Sequence, residues 1–440
     1  MILLAPHQRS LHWIAGLGLS LLSLTAAAQS STAAPASTLD PALFMQGIPP
    51  PPEYRVNIKN WQENPQKIWS FQHSRELFPT RSITRAGQIV ELPRAPRKLD
   101  DLLVSAPGEP AMNWQQMLKV THTDAIVILH HGKIIEERYF NGMQPATQHL
   151  LFSASKSMTG LMAAILIREG KLKEDAFVGS LIPELADSAW AGATVRQVLD
   201  MTDGVQFTEI YNDPSSDIYR YIGAMGWAPQ LRQPGSQEGI LAMLPTLKKV
   251  HDEPRGSVFR YRSPATDVSA WIAERAAGQS LSAWLQDRLW SRLGMEQDAY
   301  MMLDTAGHEV TFAGMNATAR DMARLGQMML QRGQWQGQQL VPAAVVDELA
   351  KGGDTKAFEI GGPKTRKGWS YRSQWWVNPS TTAPRSFAAM GAYGQMLMIF
   401  PDHDVVIVKL GSHPASLSAV TDPVHQRAFA TLIAHLQTSK

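Results

Sequence analysis

The sequence predicts an α/β fold with a helical insertion, and three observations carry that prediction. An apolar hairpin pattern stands early, helical patterns fill the middle, and apolar strand patterns return near the end. A sheet opened by a hairpin, interrupted by helices and closed by late strands accounts for this order. At roughly 100–200 residues per domain, 440 residues are enough for two or three units with a sizeable core.

The elements follow in chain order. Arg9 is the only charged side chain among residues 1–28, and the run Leu11–Leu24 is apolar and followed by Thr25-Ala26-Ala27-Ala28. A basic start, a short apolar centre and an A-x-A ending predict a secretory signal cleaved after Ala28. The run is short of the roughly 20 residues needed to span a bilayer, so no membrane insertion is expected after cleavage. Residues 29–52 are rich in Ser, Ala, Thr and Pro and end in four prolines, the composition of a linker. Residues 53–100 carry scattered aromatics (Trp61, Trp69, Phe71, Phe78) without periodicity and read as an irregular arm.

The α/β lobe is assigned to 101–195 and 365–440. Ala125–Leu129 and Ile134–Phe140 flank His131-Gly132-Lys133, a hairpin with a glycine turn. Ser153–Glu169 has apolar residues at i, i+3, i+4 spacing and Gly170 where a helix ends, which predicts an amphipathic helix. The helical lobe, 196–364, follows, with patterns at Thr194–Thr202, Asp267–Ala277, Leu281–Leu293 and Ala317–Arg332 separated by long loops. Strands are predicted at Ser373–Val377, Gln395–Phe400 and Val405–Leu410, and a terminal helix at Pro423–Leu436.

Composition narrows the chemistry. With 41 Lys+Arg against 39 Asp+Glu, the chain lacks the concentrated basic charge that nucleic acid requires. It has no cysteine, which excludes disulfides, thiolate nucleophiles and cysteine-held metal sites. Ser153-Ala154-Ser155-Lys156 is the only S-x-x-K in the chain and stands at the start of a predicted helix. Residues i and i+3 share a helix face, so the Lys156 amine can reach the Ser153 hydroxyl. Burial and the helix N-terminus would depress the lysine's pKa, making it a base for the serine. Tyr261-Arg262-Ser263 precedes another helix, and a tyrosine can relay a proton if a cation such as Lys156 lowers its pKa. In Gly391-Ala392-Tyr393-Gly394-Gln395, glycines before a strand would let backbone N–H groups approach a reacting carbonyl.

These motifs resemble the serine-reactive β-lactamase and penicillin-binding-protein superfamily, and among its class C-like members the nylon-oligomer hydrolases. The likeness runs from about Pro50 to the C-terminus. It includes Met201-Thr202-Asp203-Gly204-Val205, the Glu209…Tyr211-x-Asp213-Pro214 loop and Ala317-Thr318-Ala319-Arg320-Asp321. The resemblance implies a β-lactamase/transpeptidase-like fold, an antiparallel sheet flanked by helices with an inserted all-helical lobe. It implies Ser153 as acylated nucleophile, Lys156 as its base partner and Tyr261 as the residue passing a proton to the leaving group and then activating water. It further implies Tyr211 and Trp227 as substrate contacts from a lid region, and Ser263 where many relatives have asparagine. Gly391 and Tyr393 are assigned to the substrate side of the late strand, with the N–H groups of Ser153 and Ala392 as the oxyanion hole.

Departures from the family pattern shift the expected substrate. The late strand lacks the Lys-Thr-Gly whose lysine helps hold a β-lactam carboxylate; Lys364-Thr365 is followed by Arg366 and is treated as a decoy. Ser216-Asp217 is followed by Ile218, so it is not Ser-Asp-Asn. An open-chain amide or ester is therefore expected, as a small-molecule substrate, in the periplasm and without cofactor. A D-amino-acid peptidase or weak β-lactamase, or a ligand sensor without turnover, are the competing readings. His130-His131, His403 and Asp404 are assigned to turns rather than to a metal, Trp375-Trp376 to strand packing, and Glu209 and Asp213 to solvated or capping roles as readily as to a substrate amine.

Overall fold

The computed structural model describes residues 39–438, apart from 106–109, 212, 233, 234, 236 and 417–420. The expected signal segment and most of the linker lie outside the described residues. The linker reading fails at its end: Phe44 is buried and packs edge-on against Tyr54, because one aromatic ring suffices to anchor an otherwise polar stretch.

Seven antiparallel strands form the main sheet, in the order Ser370–Arg372, Trp375–Asn378, Ser386–Gly391, Gln395–Phe400, Val405–Gly411, Thr123–His130, Lys133–Tyr139. The early hairpin turns at His131 and Gly132, both with positive φ, the conformation that the glycine allows at least cost. Its first strand pairs with Val405–Gly411, Ile128 opposite Ile407, which closes the sheet across the inserted segment. Val405–Gly411 and Gln395–Phe400 are buried along their whole length because helices cover both faces. Leu397 and Val406 meet Gly326 of the helix Ala319–Leu330, while Met396 and Met398, on the alternate face, meet the terminal helix Asp422–Thr438.

Several elements differ from their sequence patterns. Ser373–Val377 is not one strand: Ser373 and Gln374 have positive φ and turn the chain between two short strands. Ser386–Gly391, with its small residues, carried no strand signal, yet it is the third strand of the sheet. The helix of the S-x-x-K motif begins as a 3₁₀ turn, Phe152–Ser155, and continues as Lys156–Arg168. From Lys156 to Leu166 it is buried all round rather than amphipathic, since it runs through the middle of the molecule.

The inserted segment is largely helical, as in Asp217–Ala224 and Ser263–Ala277, but it also holds short strand pairs, Val205–Gln206 with Lys248–Lys249 and Gln334–Trp335 with Gln338–Gln339. Ala299–Met302 and Met315–Ala317 are strands, too short to show a period of two. They complete a four-stranded sheet with Thr80–Ile83 of the arm and His149–Leu150, just before Ser153.

Candidate active site

Ser153 sits half-exposed at the mouth of a cleft, one residue after a backbone irregularity. Phe152 has φ 46°, a left-handed conformation that is costly for a bulky residue. Its ring is held by the arm: it stacks on Trp61 (6.4 Å, 6°) and meets Phe71 edge-on at 4.7 Å. Tyr393, across the cleft, also has positive φ, 62°, and its ring lies 4.9 Å from that of Phe152. Between these two positions stand Ser153 and Ala392. Gly391 brings them together, because a Cβ there would stand 2.2 Å from the Leu151 carbonyl oxygen and 3.1 Å from the Ala154 nitrogen.

Lys156 is fully buried, and its Nζ lies 3.0 Å from Ser153 Oγ, 3.1 Å from Ser263 Oγ and 3.2 Å from the Phe312 carbonyl oxygen. All three partners are uncharged. Burial lowers its pKa to about 8, against an opposing pull from Glu209 and Asp267.

Glu209 plays a larger part than its sequence context suggested. Its carboxylate accepts from the Ser263 N–H (2.6 Å), the Ser263 hydroxyl (2.9 Å) and the Tyr211 hydroxyl (2.6 Å). Ser263, Tyr211 and Lys156 thus form one connected network with Glu209 behind it. Its neighbour Asp213 is half-buried and accepts from the Ser215 N–H at 2.9 Å. Behind Ser263, Asp267 is buried and accepts from Tyr221 (2.7 Å) and Thr311 (2.6 Å), and burial pushes its pKa up to about 7.

Lys156 Nζ lies 4.9 Å from the centre of the Tyr261 ring, which places the tyrosine beside the Ser153–Lys156 pair. The expectation that Lys156 would lower the tyrosine's pKa is not met. Burial raises it, with the Glu209 charge adding to the effect, so Tyr261 is a neutral phenol. Trp376 stacks on Tyr261 at 5.4 Å and 23°, and the Arg366 guanidinium lies 4.3 Å from the centre of the same indole, paired with Asp422 at 2.7 Å. Trp376 was assigned to strand packing alone; it also fixes the Tyr261 ring. Trp375 does pack, donating to the Ser157 carbonyl.

The cleft encloses about 570 Å³ including its mouth. Ser153, Tyr211, Trp227, Ala392 and Tyr393 line it, while Ser263 lies behind the lysine and Gly391 at the strand end. The decoys fall elsewhere. Lys364-Thr365 belongs to a 3₁₀ turn, Ser216-Asp217 starts a helix, and His131 pairs with Asp404 at 2.7 Å between two turns. Among the described residues no group of three or more His, Asp or Glu could hold a metal ion.

Residues 115–430 match the family model described as beta-lactamase. The sequence is 34% identical to 6-aminohexanoate-dimer hydrolase of Paenarthrobacter ureafaciens, over 81% of this chain and 88% of that protein. It is 23% identical to a beta-lactamase of Escherichia coli K12, over 65% of this chain and 74% of that one. Among solved structures, a Bacillus anthracis protein described provisionally as a 6-aminohexanoate-dimer hydrolase superposes with a TM-score of 0.80 at 31% identity. That match covers 88% of this chain and 98% of the other.

Proposed function

The chain belongs to the beta-lactamase family of serine hydrolases, and from that premise we propose that it cleaves an open-chain amide or ester through an acyl-enzyme on Ser153. The observation that carries this reading is the buried Lys156 amine, 3.0 Å from a half-exposed serine hydroxyl and held only by uncharged partners.

The proton count closes with the groups present. Neutral Lys156 takes the Ser153 proton as Oγ attacks the carbonyl carbon. The N–H groups of Ser153 and Ala392 hold the developing oxyanion, the approach being set by Gly391. Tyr261, a phenol, gives its proton to the departing amine or alcohol, and the Lys156 ammonium offsets the phenolate left behind. A water then loses a proton to that phenolate and attacks the acyl carbon, and Lys156 returns its proton to Ser153. Tyr211, on the cleft wall, and Ser263, beside the lysine, orient the substrate and the amine.

Amide substrates are supported by the Paenarthrobacter relative, and the missing Lys-Thr-Gly speaks against efficient β-lactam hydrolysis. The basic start and short apolar run support export to a periplasm, which cell fractionation with N-terminal sequencing would test. Ser153→Ala should reduce turnover of a p-nitrophenyl acyl ester by about 10⁶-fold and abolish the acyl mass shift on the protein. Unchanged turnover would sink the reading.

A further inference from the structure

Among the described residues, no charged side chain lines the cleft beside Ser153. Phe152, Ile222, Met225, Trp227 and Phe312 supply much of its wall, and its polar lining is limited to hydroxyls, the Trp227 indole and the Gln62 carboxamide. The nearest charges outside it are already committed. Glu209 is bound by Ser263 and Tyr211, and the Lys67 ammonium donates to the Pro414 carbonyl (2.7 Å) beneath the ring of Tyr393. Lys156 points at Ser153 and Ser263. One buried donor is free: the Trp227 Nε1–H has no partner, although the residue is only 2% exposed. A neutral acceptor would satisfy it without adding a charge, once a ligand displaces the side chains that cover it.

We propose that the group bound in this cleft is uncharged: an apolar acyl chain whose polar function, where it has one, is a neutral hydrogen-bond acceptor such as a carbonyl. The inference rests on the Ser153 hydrolase reading and narrows it. An ammonium or carboxylate moved into the cleft loses its water and meets no counter-ion, whereas a methylene chain gains by leaving water. The linear 6-aminohexanoate dimer carries both kinds of charge at neutral pH and is accordingly a poor fit.

Four p-nitrophenyl esters of matched chain length test this: hexanoate, N-acetyl-6-aminohexanoate, 6-aminohexanoate and monoadipate. The first two are neutral at the far end, the third an ammonium and the fourth a carboxylate. At pH 7.5 we expect kcat/KM for the neutral pair to exceed that for either charged ester by at least about 30-fold. Gln62→Glu, which keeps the side-chain shape, should shift the ratio of 6-aminohexanoate to hexanoate turnover about fivefold toward the ammonium ester. Equal turnover of ammonium and hexanoate esters, with acylation at Ser153, would overturn this inference and leave the hydrolase reading standing. An unmoved ratio in Gln62→Glu would also count against it. If no ester is turned over and Ser153 is never acylated, both fall.

Discussion

Lys156 and Lys409 are alike in burial and unlike in consequence. Both are fully buried, and burial lowers the pKa of each to about 8. Lys156 lies against a hydroxyl that opens on a cleft, with three uncharged partners. Lys409, on the strand Val405–Gly411, donates to the Thr121 carbonyl (3.1 Å) beside a buried polar cluster, with no serine hydroxyl among the described residues within its hydrogen-bond reach. The cluster is organised by Asp124, which accepts from Asn141 (2.6 Å) and Ser412 (3.0 Å) and meets His149 at 3.2 Å. A depressed lysine pKa therefore marks desolvation, not a role. What distinguishes the base is a nucleophile within reach and a route for substrate to it.

The largest effect that could break this comparison is removal of each amine in turn. Lys156→Met should lower kcat by about 10³-fold with the fold intact by circular dichroism, while Lys409→Met should leave kcat within about fivefold. Equal losses would mean that the two lysines act alike. Next come two glycines at close contacts. Gly391→Ala places a Cβ 2.2 Å from the Leu151 oxygen and should cost about 10²-fold in kcat by displacing the oxyanion donors. Gly160→Ala places one 1.8 Å from the Ser373 oxygen, on the same helix as Lys156 but away from the cleft. It should cost stability instead, about 3 kcal/mol in urea unfolding.

A smaller, signed effect lies in the pH profile. Protonated Lys156 cannot accept the serine proton, so kcat/KM should rise with pH through a midpoint near 8. Glu209 raises the lysine's pKa, so Glu209→Gln should move that midpoint to lower pH, together with a loss of about tenfold in kcat as one of the two oxygens that accept from Ser263 becomes an amide donor. A midpoint that stays in place, or moves up, would show that Glu209 does not act through Lys156.

Local arrangements were legible in the sequence. The hairpin at His131-Gly132 and the apolar strands Gln395–Phe400 and Val405–Gly411 declare themselves through periodicity and turn chemistry. Ser153 and Lys156 are three residues apart, so helical geometry alone brings them together. Glu209 was noticed, but not as the acceptor for Ser263 and Tyr211. The Glu209–Ser263 contact joins residues 54 positions apart, and no local pattern encodes it. The same holds for Trp376 on Tyr261 and for the arm aromatics that hold Phe152 in its strained conformation.

By itself the sequence pointed to the serine-hydrolase class and to Ser153, Lys156 and Tyr261 as candidates, because motif spacing and order are properties of short stretches of chain. It also set the expectation of a neutral, cysteine-free enzyme whose nucleophile is an oxygen. Only the tertiary structure decided the protonation of Tyr261, the role of Glu209 and the uncharged walls of the cleft. Each of these depends on which distant groups are buried together, and desolvation acts through space rather than along the chain.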